Sequence, residues 1–111
     1  MPHLALFQQN DDLIFLSGQM GFDTQFKLVG TDVQSQTRQC LENLEKVLLS
    51  QGRDRTAILK TTVWLTRGED FAAFDAAYAA FFGDHKPARS TTIAGLVVPG
   101  AVVEIEAIAG R

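Results

Sequence analysis

The sequence has a single cysteine, Cys40, which rules out an internal disulfide and any cysteine-rich metal site. Histidine is nearly as scarce. His3 and His85 are the only two, and neither HxxxH nor CxxC spacing occurs, so a zinc site would have to recruit carboxylates from distant positions. GxGxxG and GxxxxGKS/T are both missing, which removes the loop chemistry of dinucleotide and P-loop proteins. The expectation is a chain without metal or cofactor. A net charge of -3 leaves no basic stripe to neutralise phosphates, so a nucleic-acid partner is disfavoured. Apolar runs fall well short of the ~20 residues that cross a bilayer. The opening "MPHLALFQQNDD" has neither the basic region nor the long apolar segment of a signal peptide. A cytoplasmic protein with no membrane partner is expected.

What the sequence does have is clear periodicity. Its 111 residues suffice for one domain, residues 1–111, with a real core. "LIFLS" (Leu13 to Ser17) is rich in strand formers and follows the turn-like "NDD", with "ALF" before it as the other arm of a hairpin. Thr31, followed three residues later by Gln34, reads as a capping box opening a helix that Gly52 closes. Val33, Cys40, Leu41, Leu44, Val47 and Leu48 recur at helical spacing, and Cys40 sits on that stripe as a core residue.

"ILKTTVWLT" (Ile58 to Thr66) reads as a strand, and "RGED" opens a second helix carrying Phe71, Phe74, Tyr78, Phe81 and Phe82 and ending at Gly83. An aromatic stripe of this kind is core. "TTIAGLVV" and "AVVEIEAIA", separated by Pro99 and Gly100, read as a final hairpin, giving the order ββαβαββ. Two helices can cover only one face of such a sheet. On the last strand Val103, Ile105, Ala107 and Ala109 share one face, and Val102, Glu104, Glu106 and Ile108 share the other. In "LIFLS", Leu13 and Phe15 face opposite to Ile14 and Leu16. Apolar side chains on both faces imply that the uncovered face packs against other copies of the chain.

Six short stretches occur in order: "SGQ" (Ser17 to Gln19), "QTRQCLENLEKVL" (Gln36 to Leu48), "KTTVWL" (Lys60 to Leu65), "FAAFDAAYAAFF" (Phe71 to Phe82), "PARSTT" (Pro87 to Thr92) and "VEIEAIA" (Val103 to Ala109). Together they resemble the RidA/YjgF family of reactive intermediate deaminases over nearly the whole chain. The resemblance implies an α+β, chorismate-mutase-like fold with a mixed sheet and a homotrimer with clefts between subunits. It also implies metal-free hydrolysis of small enamine or imine carboxylates, such as 2-aminoacrylate and 2-iminobutanoate or 2-iminopropanoate, to 2-keto acids and ammonia.

Carried over residue by residue, the "PARS" arginine falls on Arg89, the substrate-carboxylate clamp, a role that suits a planar guanidinium fork. The first glutamate of "EIEAIA" falls on Glu104, which would orient or activate the attacking water. Ser17 and Gly18 fall in the cleft, and Thr91 stands where many relatives carry cysteine. Two departures stand out. Relatives have an N-terminal "GPY" whose tyrosine closes the cleft, where this chain has His3, Leu4 and Ala5; and Asp75 replaces an asparagine. Asp75 either faces the cleft or is a solvated helix residue. Two other functions compete with the deaminase: a noncatalytic trimeric binder of small carboxylates, and the ribonuclease activity attributed to some relatives, which the acidic balance argues against.

Overall fold

The computed structural model describes residues 2–111. Strands β1 (Phe7–Gln9) and β2 (Leu13–Gln19) form the first hairpin. Asn10 makes its turn: Oδ1 accepts from the backbone N–H of Asp12 and Leu13, a side chain standing in for a backbone acceptor. Only Phe7 of the expected "ALF" arm lies in the strand.

Helix α1 (Val33–Ser50) starts one residue later than the Thr31/Gln34 box implies. Asp32 is the cap, its carboxylate accepting the Ser35 N–H at 2.8 Å. Either Thr or Asp can cap, and the one placed to reach an orphan N–H of the first turn takes the role. Gly52, at φ +73°, reverses the chain after the helix, as expected.

β3 (Ile58–Leu65) leads through a short turn to α2 (Phe71–Phe82), which ends at Gly83 with φ +62°. β4 (Ala88–Ile93) and β5 (Val103–Gly110) complete a five-stranded mixed sheet of order β1-β2-β5-β3-β4. The expected final hairpin is not there. β4 pairs with β3 in parallel, and β5 inserts between β2 and β3, antiparallel to both. A parallel pair needs a crossover, which α2 supplies. Residues 94–102 then carry the chain past the end of β3, where the Ala94 N–H donates to Leu65 O and the Thr66 N–H to Val102 O.

Both helices pack on one face and enclose the core, including Leu41, Leu44, Ile58, Val63, Phe74 and Ile105. Each fully buried side chain of this size contributes about 1.5–3 kcal/mol through removal of apolar surface from water. The alternation on β5 is as expected: Val103, Ile105, Ala107 and Ala109 are buried, while Glu104, Glu106 and Ile108 are partly exposed on the open face. Phe15 on that open face is 42% exposed.

One polar residue anchors the entry to β5. Gln36, fully buried, donates from Nε2 to Gly30 O and Gly100 O, and its Oε1 accepts the Val102 N–H at 2.9 Å. A buried amide satisfied this way fixes the loop that delivers Glu104. Among the described residues no helix is long and apolar enough to cross a membrane.

Candidate functional site

Arg89 lies opposite Thr61 in the parallel β3/β4 register, so its side chain shares the helix face. Thr61 is buried there and hydrogen-bonds Tyr78 through the two hydroxyls, 2.7 Å apart. The Arg89 guanidinium carbon stands 4.8 Å from the Tyr78 ring centroid, 5.2 Å from that of Phe74 and 5.6 Å from that of Phe71. These aromatics, with Asp75, form one row of α2 because they recur at three and four residues. Their faces attract the cation and their bulk removes water from it.

Arg89 Nη1 donates to Asp75 Oδ1 at 2.8 Å. Asp75 thus faces the arginine and is not a free solvated residue. Its side chain remains half exposed. An ion pair that open to water contributes about 0–1 kcal/mol, so an incoming carboxylate displaces or shares it at little cost. Arg89 and Asp75 line a cavity of about 370 Å³ whose other walls include Tyr78, Phe82, His85 and Lys86. Tyr78 is held neutral, its pKa raised mainly by burial. Thr91, opposite Val63, faces the same way as Arg89.

Glu104 is elsewhere. It lies opposite Trp64, three residues along β3 from Thr61, and therefore on the open face. Burial, reinforced by the charge of Glu106 on the same face, raises the Glu104 pKa. Gly18 lies against it: a Cβ at Gly18 would run into Glu104 Oε2, the free end of a flexible side chain, so a larger residue here would make this carboxylate shift. A register shift between Leu16 and Gln19 produces the approach, a bulge that aims Gly18 at Glu104. Ser17 Oγ donates to Ala5 O at 2.5 Å, tying the N-terminal segment to β2, and lines a depression with Phe15 and Glu106.

The residues expected in the site thus fall into two groups in one chain. Arg89, Asp75 and Thr91 share the helix face, and Glu104 and Gly18 meet on the open face. Sequence reading treated Phe71, Phe74 and Tyr78 as core alone and missed their second role as the surface under Arg89. The signal was available in their spacing around Asp75. Cys40 is buried on the α1 stripe, its thiol 3.8 Å from Val103 O and its pKa pushed far up by burial, so it is no nucleophile.

Two helices packed on one face of a five-stranded mixed sheet are the fold of solved L-PSP and Rid proteins. The profile of the family described as Endoribonuclease L-PSP matches residues 6–110, and the chain belongs to this family, the RidA/YjgF group. It is 37% identical over 109 residues to the chloroplastic Reactive Intermediate Deaminase A of Arabidopsis thaliana, covering 97% of this chain and 58% of that longer protein. It is 36% identical over 99 residues to a RutC family protein of Pyrococcus horikoshii, covering 88% of this chain and 79% of the relative. Among solved structures, E. coli TdcF with bound serine superposes with a TM-score of 0.92 at 31% identity, covering 100% of this chain and 90% of the other. YyfA of Yersinia pestis, of the conserved Rid protein family, superposes with 0.94 at 34% identity, covering 100% and 90%.

Proposed function

We propose that the protein hydrolyses small imine or enamine carboxylates to 2-keto acids and ammonia, in clefts assembled between copies of the chain. The observation that carries this reading is Arg89: a cation seated on three aromatic rings, beside an open cavity, with Nη1 engaged by a half-exposed carboxylate. Its remaining donors have no protein acceptor among the described residues, which leaves a fork free for a ligand carboxylate.

The chemistry needs little else. Once its nitrogen is protonated, an imine carbon is electrophilic, so the catalyst has to hold the substrate and place a water. Glu104, with no hydrogen-bond partner among the described residues and a raised pKa, suits proton transfer from that water as it adds to the C=N carbon. The C–N bond of the resulting carbinolamine then breaks, ammonia leaves, and the carbonyl forms. An enamine enters the same path after protonation at its terminal carbon.

Because Arg89 and Glu104 occupy opposite faces, one substrate reaches both only if two copies contribute. Exposed Phe15 on the open face and Ile93 on edge strand β4 supply apolar surface for such an assembly, and a homotrimer closes it with three equal clefts. One relative is named Reactive Intermediate Deaminase A, and the neighbour TdcF was solved with bound serine, which supports a small carboxylate as ligand.

The test generates imines in situ with an amino-acid oxidase and follows ammonia and keto-acid release against the spontaneous rate. Acceleration by the protein supports the reading. Binding of keto acids without acceleration makes the protein a carboxylate binder instead.

A further inference from the structure

An arginine that must capture a carboxylate has been given an aspartate as its neighbour. The Asp75 carboxylate uses Oδ1 on Arg89 Nη1, while Oδ2 has no partner among the described residues and the side chain is 50% exposed at the cavity. A purely anionic ligand entering here meets both charges, attraction from Arg89 and repulsion from Asp75 within a few ångströms. The other charged or titratable groups on the cavity are Tyr78, whose hydroxyl is shared with Thr61, and Lys86 and His85, with His85 Nε2 already engaged with Ile58 O at 2.7 Å. None of these offers a negative charge, so Asp75 is the one anionic group among the described residues of the cavity.

We propose that Asp75 is a specificity-determining residue that reads the ligand's nitrogen: the Asp75–Arg89 pair selects α-iminio and α-amino acids over 2-keto acids of the same carbon skeleton. This rests on the reading of Arg89 as the carboxylate clamp. The dimensions suit it. In an α-amino or α-imino acid the carboxylate and the cationic nitrogen hang from one carbon, and the opposed charges of Arg89 Nη1 and Asp75 Oδ1 are 2.8 Å apart. The free guanidinium donors take the carboxylate and Asp75 Oδ2 takes the N–H of the iminium, a charge-assisted contact on each side.

The pair also separates substrate from product. Hydrolysis removes the nitrogen, so the keto acid loses the Asp75 contact and is left facing its charge. Asp75 then holds the protonated, electrophilic form of the imine and lowers retention of the product, an interaction made before reaction and lost after it.

The experiment compares L-alanine and pyruvate, which share a three-carbon skeleton, by calorimetric titration of the intact wild-type protein, Asp75→Asn and Arg89→Ala. Asp75→Asn keeps an oxygen acceptor for Arg89 Nη1, removes the charge and puts an amide NH2, which donates and cannot accept, in place of the second carboxylate oxygen. The wild type is expected to favour L-alanine by roughly tenfold, and Asp75→Asn to lose that preference, with pyruvate bound more tightly than by the wild type. Equal shifts for both ligands in Asp75→Asn, or a wild-type preference for pyruvate, overturns the inference. If Arg89→Ala abolishes binding of both ligands but Asp75→Asn keeps the wild-type preference, the nitrogen reading alone falls. If Arg89→Ala binds both as the wild type does, or the wild type binds neither, the carboxylate clamp falls and takes this inference with it.

Discussion

Arg89 and Glu104 lie on opposite faces of the same sheet: Arg89 stands beside buried Thr61 under helix α2, and Glu104 stands beside Trp64 on the open face. The proposed carboxylate clamp and the proposed base are thus kept apart within one chain, and much of what can be tested follows from that separation.

Arg89→Ala is expected to remove keto-acid binding, a loss on the order of 2–4 kcal/mol for a charge-assisted contact, with imine hydrolysis lost too. Folding should survive, because the Asp75 pair is half solvated and adds little stability. Arg89→Lys should restore little, since an ammonium cannot reproduce the planar fork. Titration calorimetry and a thermal melt read both effects. Wild-type binding in Arg89→Ala contradicts the clamp.

Glu104→Gln is expected to keep ligand affinity and lower kcat by roughly 10²–10⁴, the contribution of a positioned general base. Because burial and then Glu106 raise the Glu104 pKa, the acid limb of the rate profile lies above the ordinary glutamate range. Glu106→Gln removes the second cause and moves that limb to lower pH. The sign for stability follows too. A carboxyl whose folded pKa is raised favours the folded state while protonated, and that contribution is lost as pH rises through the folded pKa. Glu104→Gln should therefore melt higher than wild type at neutral pH, the gain shrinking as pH falls through the raised Glu104 pKa toward the ordinary glutamate value.

Gly18→Ala places a Cβ too close to Glu104 Oε2, so the carboxylate has to swing away. Turnover is expected to drop about tenfold through misplacement of the base, with binding at Arg89 unchanged. Steady-state kinetics beside calorimetry separates the two. A fall in affinity with unchanged kcat would place Gly18 in binding rather than beside the base.

Much of this arrangement was legible in the chain. The alternation of Val103, Glu104, Ile105 and Glu106 gave the two faces of β5, and the spacing of Cys40, Leu41, Leu44 and Leu48 gave the buried side of α1. The hairpin was misread for a physical reason. Pro99 and Gly100 between two apolar runs look like a tight turn, yet periodicity reports which face a residue occupies and not which strand becomes its neighbour. The parallel pairing of β3 with β4 is decided by α2 crossing between them, a tertiary choice. The Asp75–Arg89 contact was hidden likewise, because it joins a helix to a strand across that crossover.

Cys40→Ala should leave turnover intact and cost about 1 kcal/mol, the effect of a small void in a packed core. Its raised pKa and burial also predict alkylation only after unfolding. Loss of turnover in a folded Cys40→Ala protein would put the thiol in the chemistry.

A site shared between copies is tested most directly by mixing two inactive variants. Arg89→Ala chains keep Glu104, and Glu104→Gln chains keep Arg89. Co-refolded at equal amounts into trimers, random assembly gives about one quarter of the sites an intact arginine from one copy and an intact glutamate from the next. Imine hydrolysis at about that fraction of the wild-type rate is expected, from two proteins that are each inactive alone. If hybrid trimers form, as native mass spectrometry would register, and no activity returns, both residues act within one chain or not at all, and the shared site is wrong.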